Sequence, residues 1–501
     1  LIISLTPELE HTFSVYELLS SFFKLNKKNN MNNIFQIIIG VLLIGLVSSC
    51  DDFLDVNANP NQLVEIPSGD LLLKGTMLAN TQLHKGHLLR SSMYYSGGLI
   101  GNQLVQQTLY NYDFTPGDSD ASWSHLYNGI LTQNKEIRRI SPELDLLQGI
   151  IDINEAMAMG TAATIWGDVP YLEATPDDPS LESSKPKFDD QLAVYAAVQN
   201  LLSAGITKVE NATTAIGDQD VFYAGDKTKW VAAANTLKAR NYMLTKNYDE
   251  AIKFVDKGIS SSGNTMNYNP IGTVNENSNL FYILGSGSRA GDMTGTDAFF
   301  QTLLDPANAS SRNHAKTDET ARRNYMYISG DGASANGIDA QDTPMPLVSY
   351  EENLLIWTEC LVRGGENQMA IDKLNELRAH LNSGNAFNLI DVADTYLYDA
   401  FEMADFMNGG IENSDGIATD RAILREIIEE RYVSGFTTYL PFDDVRRLRK
   451  SDSDVMVPIP LNNTQATVNP QRLLYPRSEI DNNENVPNPL PDLFTVTKVN
   501  G

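Results

Sequence analysis

Cys50 is the residue whose setting restricts its chemistry most narrowly. It follows an apolar run that begins at Ile34 and ends in Leu46-Val47-Ser48-Ser49-Cys50-Asp51-Asp52. An apolar core closing on small residues directly before a cysteine is the layout of a bacterial lipoprotein signal. The leader is cut away, the cysteine becomes the new N-terminus, and acyl chains are joined to its thiol and amine. Two or more such chains hold a protein on a membrane where one is marginal. A single-pass anchor fits less well, because roughly fourteen apolar residues fall short of the ~20 that span a bilayer. A buried core helix is the remaining alternative, and the polar flank after Cys50 speaks against it. Lys24, Lys27 and Lys28 lie upstream, with no basic residue between Met31 and the apolar run. Residues 1–49 are therefore expected to be a removed signal and precursor segment, and residues 50–69 a lipidated, turn-rich tether.

Other candidate chemistry is sparser. His84 and His87 are three apart on a predicted helix and could share a metal, but no third ligand accompanies them and the zinc-protease pattern is absent. Two solvated histidines on a polar face is the expected reading, with no metal and no cofactor. Gly285-Ser286-Gly287-Ser288-Arg289-Ala290-Gly291 resembles a dinucleotide loop, yet its last glycine is one residue too far and no strand-helix alternation surrounds it. Carboxylates are abundant enough to supply a glycosidase pair, although abundance does not place one. Cys360, in an apolar helical context, is expected to be a small buried hydrophobe. The basic cluster Arg446-Arg447-Leu448-Arg449-Lys450 is expected to pair internally with Asp443, Asp444 or the acidic helix before it. That leaves Tyr110-Asn111-Tyr112-Asp113-Phe114. Sugar rings present C–H faces that stack on aromatic rings, and their hydroxyls seek amides and carboxylates. Each of these aromatics could instead pack its loop onto the helices. Tyr325 and Tyr327, beside Arg322 and Arg323, form a second such cluster.

The body that must position these groups is large and acidic. Of 501 residues, 42% are hydrophobic and 20% charged, enough for a substantial core, and the formal net charge of -27 repels phosphate backbones. Nucleic acid is excluded as a natural partner. With two cysteines, one of them at the lipidation site, no disulfide framework exists and the core must come from packing.

Periodicity predicts helices over 71–90, 120–140, 148–166 and 189–202. Gly167-Asp168-Val169-Pro170 ends the third of these abruptly. Residues 229–258 read as two helices turning at Lys246-Asn247-Tyr248. Their Trp230, alanines and Tyr248 are spaced as in one tetratricopeptide unit, where small residues let antiparallel helices approach. Residues 350–363 and 367–381 repeat the plan around Gly364-Gly365. Between them, 261–343 is rich in Gly, Asn and Ser and is expected to be a loop-dominated insertion with short strands such as Leu280–Leu284. Residues 417–435 read as a helix, and the chain beyond Pro441 as irregular. The expected fold is mainly α: tetratricopeptide-like pairs over about 120–260 and 350–381, a large loop-rich half, and few short strands, in one domain over 70–501.

Several stretches, in order along the chain, carry a resemblance. They are Cys50-Asp51-Asp52-Phe53-Leu54-Asp55-Val56-Asn57 with Asn59-Pro60-Asn61, Trp166-Gly167-Asp168-Val169-Pro170-Tyr171 and Pro346-Leu347-Val348-Ser349-Tyr350-Glu351-Glu352. Further on come Glu430-Arg431-Tyr432, Asp444-Val445-Arg446-Arg447 and Tyr475-Pro476-Arg477-Ser478-Glu479. Together they resemble the SusD/RagB family of outer-membrane lipoproteins, in its SusD-like branch. Between Glu430-Arg431-Tyr432 and the arginine pair the chain departs from the family pattern, with Phe436-Thr437-Thr438-Tyr439-Leu440-Pro441 intervening.

The resemblance implies four tetratricopeptide-like pairs on one side and an irregular ligand-binding half on the other. It also implies a place at the cell surface, where Asp51 and Asp52 would direct the lipoprotein outward. Such proteins close over a TonB-dependent transporter barrel of the SusC type and capture oligosaccharides or, in RagB-like members, peptides. The expected function is therefore non-catalytic capture of an oligosaccharide for that transporter. A peptide-binding relative, a surface glycoside hydrolase and a purely structural tetratricopeptide scaffold are the alternatives.

Overall fold

Two glycines facing each other set how closely the central helices can approach. A Cβ on Gly149 would come within 2.6 Å of the Val209 side chain, and one on Gly205 within 2.8 Å of Ile153. Only hydrogen fits on either side, so the two helix backbones lie nearly in contact. The computed structural model describes residues 68–175, 185–272, 277–331 and 336–501, and Pro67–Gly501 forms one compact unit. The leader, Cys50 and most of the tether lie outside the described residues.

The chain opens with α1 (Asp70–Lys85), α2 (His87–Tyr95), strand β1 (Ile100–Gly101) and α3 (Leu104–Tyr110). The single helix expected over 71–90 is thus two, broken at Gly86. A rod follows, made of α4 (Asp120–Ser124), a π-helical turn (His125–Leu131) and α5 (Thr132–Ile140). Next come α6 (Asp145–Trp166), α7 (Gln191–Asn211), α8 (Lys227–Leu244) and α9 (Tyr248–Val255). Gly167, at φ +85°, stops α6. Asp190 and Asp226 cap α7 and α8 by accepting from two backbone N–H groups each.

Beyond the inserted region lie α10 (Tyr350–Arg363), capped by Ser349, and then α11 (Asn367–Asn382), α12 (Thr419–Ser434) and α13 (Leu440–Leu448). Among the described residues four helical pairs result: α1 on the rod, α6 on α7, α8 on α9 and α10 on α11. Neighbouring pairs stack through α1 on α6, α7 on α8 and α9 on α10. The framework therefore starts at residue 70 and not at about 120, because α1 finds its partner across the α2–α3 excursion. Ala239, Met243, Ala251, Val255, Ile356 and Cys360 fill the joint between α8, α9 and α10. Cys360 is buried there as expected, and burial pushes its thiol up to about 12.

Among the described residues the loop-rich half carries three two-stranded antiparallel ladders. β1 pairs with β3 (Met293–Thr294), β2 (Met266–Tyr268) with β5 (Met345–Val348), and β4 (Thr317–Asp318) with β6 (Leu397–Tyr398). The stretch 280–284, expected as a strand, instead leads into the short helix Tyr282–Gly285. A short apolar run does not by itself distinguish the two states. The expectation of irregular chain from Pro441 fails as far as Leu448, where α13 ends, and holds beyond it apart from the short turns Arg477–Asn482 and Lys498–Asn500. Pro441 sits in the first turn of α13, where its missing N–H has no partner to lose.

Arg446 and Arg447 of the basic cluster lie on α13 and are internal, whereas Arg449 and Lys450 follow its end, partly buried and exposed respectively. Arg446 pairs with Asp443 at 2.5 Å, and Arg447 with Asp444 at 2.8 Å and with Glu359 of α10 at 2.5 Å. The acidic helix before it contributes Arg431, which joins Asp444 at 2.9 Å.

Candidate functional site

The ladder β1–β3 joins the chain that leads into α3 and Tyr110 to the chain whose Thr296 touches Tyr327. Ile100 faces Thr294 and Gly101 faces Met293. Beyond the ladder the Asn102 N–H donates to the Asp292 carbonyl at 2.8 Å, and the Gln103 side-chain amide to the Gly291 carbonyl at 3.3 Å. From this edge α3 runs to Tyr110, and the facing strand runs to Thr296, whose hydroxyl lies 2.6 Å from that of Tyr327. The intervening surface displays Leu104 and Val105, 70% and 51% exposed, flanked by exposed Asn102, Gln103, Gln107 and Thr108. Leu104 holds φ +51°, an unfavourable conformation for a branched side chain.

The predicted site residues divide on this face. Asn111 and Asp113 are exposed, and Tyr110 is half-buried, set edge-on to Tyr94. Tyr112 and Phe114, expected to meet a ligand, are buried and pack into the fold. The Tyr112 hydroxyl donates to Asn469 Oδ1 at 2.6 Å and accepts from the Asn462 N–H at 2.8 Å, while its ring stands edge-on to Tyr95 and Phe494. Asn462 and Asn463 also donate to the carbonyls of Tyr110 and Asn111. The loop is thereby fixed in place before any ligand arrives.

Tyr327 is half-buried at the surface. Tyr325, two residues earlier, turns the other way and lines a separate cleft of about 320 Å³ between β5, the end of α11 and the residues joining α12 to α13. Arg322 is buried against Glu430 at 2.8 Å, and Arg323 pairs with Asp305 at 3.2 Å. Leu104, Val105 and Thr296 were not foreseen from the sequence. The signal it held for the first two was an apolar pair set between Asn102-Gln103 and Gln106-Gln107.

The histidine pair is not a site. His84 is buried, contrary to the solvated position expected for it. Its Nδ1 lies 2.9 Å from the Asn80 carbonyl and its Nε2 2.7 Å from the Thr161 hydroxyl. His87 lies beyond the Gly86 break and faces Asp118 at 3.5 Å. Among the described residues no group of three or more His, Cys, Asp or Glu side chains could hold a metal ion.

Burial brings the His84 imidazole down from 6.5 to about 3. The unfolded chain takes up a proton near the higher value and the folded chain near the lower, so stability falls as pH drops through that window. Asp443, raised to about 6 by burial, works in the opposite sense between 6 and 3.8. His84→Met is expected to be less stable than the parent at pH 7, being unable to form either hydrogen bond. The deficit should shrink by up to about 1.4 kcal/mol per pH unit below 6.5, and urea unfolding at a series of pH values measures it. A constant deficit from pH 7 to pH 4 would contradict the neutral, buried assignment.

Stacked helical pairs carrying a loop-rich half define a helical-repeat protein, and solved structures share the arrangement. A SusD homolog from Bacteroides fragilis aligns over 87% of this chain and 100% of its own, with 17% identity and a TM-score of 0.63. A SusD/RagB family protein from Bacteroides thetaiotaomicron covers 83% and 95%, with 18% identity and a TM-score of 0.60. A chitin-binding SusD homolog from Flavobacterium johnsoniae covers 86% and 98%, with 16% identity and a TM-score of 0.61. No curated protein matches the chain. The family model described as SusD-like, starch-binding and associating with the outer membrane matches residues 60–476, and the chain belongs to that family.

Proposed function

We propose that this chain is a non-catalytic, cell-surface lipoprotein, anchored through acyl chains on Cys50, that captures oligosaccharides and hands them to a TonB-dependent outer-membrane transporter of the SusC type. The observation that carries the reading is the β1–β3 face, where Tyr110 and Tyr327 flank exposed apolar and amide side chains on a loop already fixed to the core. Rings there offer faces for sugar C–H groups, and Asn102, Gln103, Asn111 and Asp113 offer partners for hydroxyls. A preorganised surface of this kind binds without ordering a loop first, which lowers the entropic cost of association. Transport energy would come from the partner, and this chain would supply capture and closure.

Calorimetric titration with maltooligosaccharides and chitooligosaccharides, with product analysis of the same mixtures, tests the proposal. Binding without cleavage is expected. The variant Tyr110→Ala/Tyr327→Ala should bind about tenfold or more weakly, at about 1 kcal/mol for each stacking ring removed, with its melting curve intact. Released shorter sugars would mark a hydrolase and overturn the reading. Unchanged affinity in the double variant would remove this face from the site.

A further inference from the structure

The cleft beside Tyr325 is set apart from the open face and has its own chemistry. Its volume of about 320 Å³ falls within the range of roughly 300–1,000 Å³ that small-molecule sites occupy. The rings of Tyr325, Phe387 and Phe436 and the side chains of Ile338, Leu347 and Leu381 supply apolar lining.

Its charged groups are already matched within the protein. Arg322 is held by Glu430 at 2.8 Å and Glu319 at 3.6 Å, Glu352 by Arg240 at 2.5 Å, and Glu351 by His380 at 3.0 Å. A charged ligand would find no free counter-charge here and would lose its hydration on entry.

Neutral polar groups tell the opposite story. Among the described residues, the Tyr325 hydroxyl and the side-chain amides of Asn267, Asn385 and Asn388 line the cleft without a hydrogen-bond partner. Asn267 comes from β2, Tyr325 from the end of the short helix Thr320–Tyr325, and the other two from the loop after α11. The amides and the hydroxyl therefore enter from three separate parts of the chain.

A wholly apolar guest would displace water from these donors and acceptors without replacing its hydrogen bonds, an unfavourable exchange. Aromatic faces combined with neutral amides suit a small, uncharged, hydroxyl-bearing ring. We infer that the cleft is a second carbohydrate site, taking one or two neutral sugar residues independently of the extended β1–β3 face.

Glucose, galactose, mannose, xylose and N-acetylglucosamine are the probes, because single sugars fit the cleft but cannot extend along the open face. Saturation-transfer NMR on the purified chain is expected to detect at least one of them at millimolar concentration. The variant Tyr325→Phe/Asn267→Leu keeps side-chain volume and should bind that sugar at least tenfold more weakly, with an unchanged melting temperature in its absence. Asn388→Trp, on an exposed loop, blocks the mouth without touching the core and should do the same. Tyr110→Ala/Tyr327→Ala should leave single-sugar binding unchanged while weakening oligosaccharides, so failure of one site is separable from failure of the other. No binding by any of the five sugars, or equal binding by parent and both cleft variants, would overturn the assignment.

Discussion

Glu359→Ala is expected to destabilise the protein by about 3–5 kcal/mol, the cost of leaving buried charge uncompensated. Glu359 has no solvent exposure and sits where α10, α12 and α13 meet. Its Oε1 accepts from Arg447 Nη1 at 2.5 Å and from Arg363 Nε at 2.8 Å, its Oε2 accepts from Arg447 Nη2 at 2.9 Å, and Arg431 lies 3.6 Å away. Asp444 already serves both Arg431 and Arg447, so no idle carboxylate can take over.

Burial opposes ionisation of Glu359, yet Arg447, Arg363 and Arg431 together hold its carboxyl at about 2, below the usual 4.5. Its contribution is therefore complete above pH 4.5 and disappears as pH falls toward 2. Arg363→Ala, at the partly exposed rim of the network, should cost distinctly less, because Asp452 retains Arg421 at 3.0 Å. Urea unfolding at pH 7 compares the two. A Glu359→Ala stability within about 1 kcal/mol of the parent would show that this junction is held by its apolar packing alone.

Trp166→Ala is the second large effect, at about 3–5 kcal/mol for emptying a fully buried aromatic site. Trp166 ends α6 with its ring edge-on to Trp123 at 5.0 Å, and its indole N–H donates to the Leu474 carbonyl at 3.1 Å. Around it the late chain is stapled down. The Leu473 N–H donates to the Ile165 carbonyl at 2.8 Å, the Tyr475 hydroxyl to the Asp168 carbonyl at 2.8 Å, and the Arg472 guanidinium to the Trp166 carbonyl. Removing the ring should free residues 471–500 first. Limited proteolysis is expected to cut there in Trp166→Ala well before the parent is cut. Trp166→Phe, which keeps most of the volume but has no N–H, should fall between them. If the variant is cut elsewhere first, the ring is not what holds this segment.

The long helices were legible because each buries an apolar stripe at helical spacing. Residues 227–255 and 350–382 were readable almost to the residue. α13 was not, because half of its buried face is charged. Internal pairing of Asp443, Asp444, Arg446 and Arg447 could be read from the sequence, but not that they lie on a helix or that Glu359, 88 residues before Arg447, completes the network. The break in the first helix depended on one glycine, and the pairing of α1 with the rod on chain returning after the α2–α3 excursion of residues 86–119.

At the candidate site the types of residue were readable and their directions were not. Tyr110 and Tyr112 look alike in sequence, yet the partners that bury Tyr112 lie at Asn469 and Phe494. Tyr325 and Tyr327 share a short stretch, but the chain leaves its helix between them, and Tyr325 alone of the two lines the cleft.

The first two helices are held by the last third of the chain. Lys85 donates to the Thr437 carbonyl, Tyr439 to the Leu83 carbonyl, Tyr432 to the Ser96 carbonyl and Asn462 to the Tyr94 carbonyl. A growing polypeptide that has reached only residue 430 thus has an amine, a row of carbonyls and an apolar surface at its beginning with nothing to cover them. Closure of so many distant pairings is slow and cooperative. The molecule cannot mature from front to back as it is synthesised: one face of its first two helices stays uncovered until partners some 340 to 370 residues further along are made.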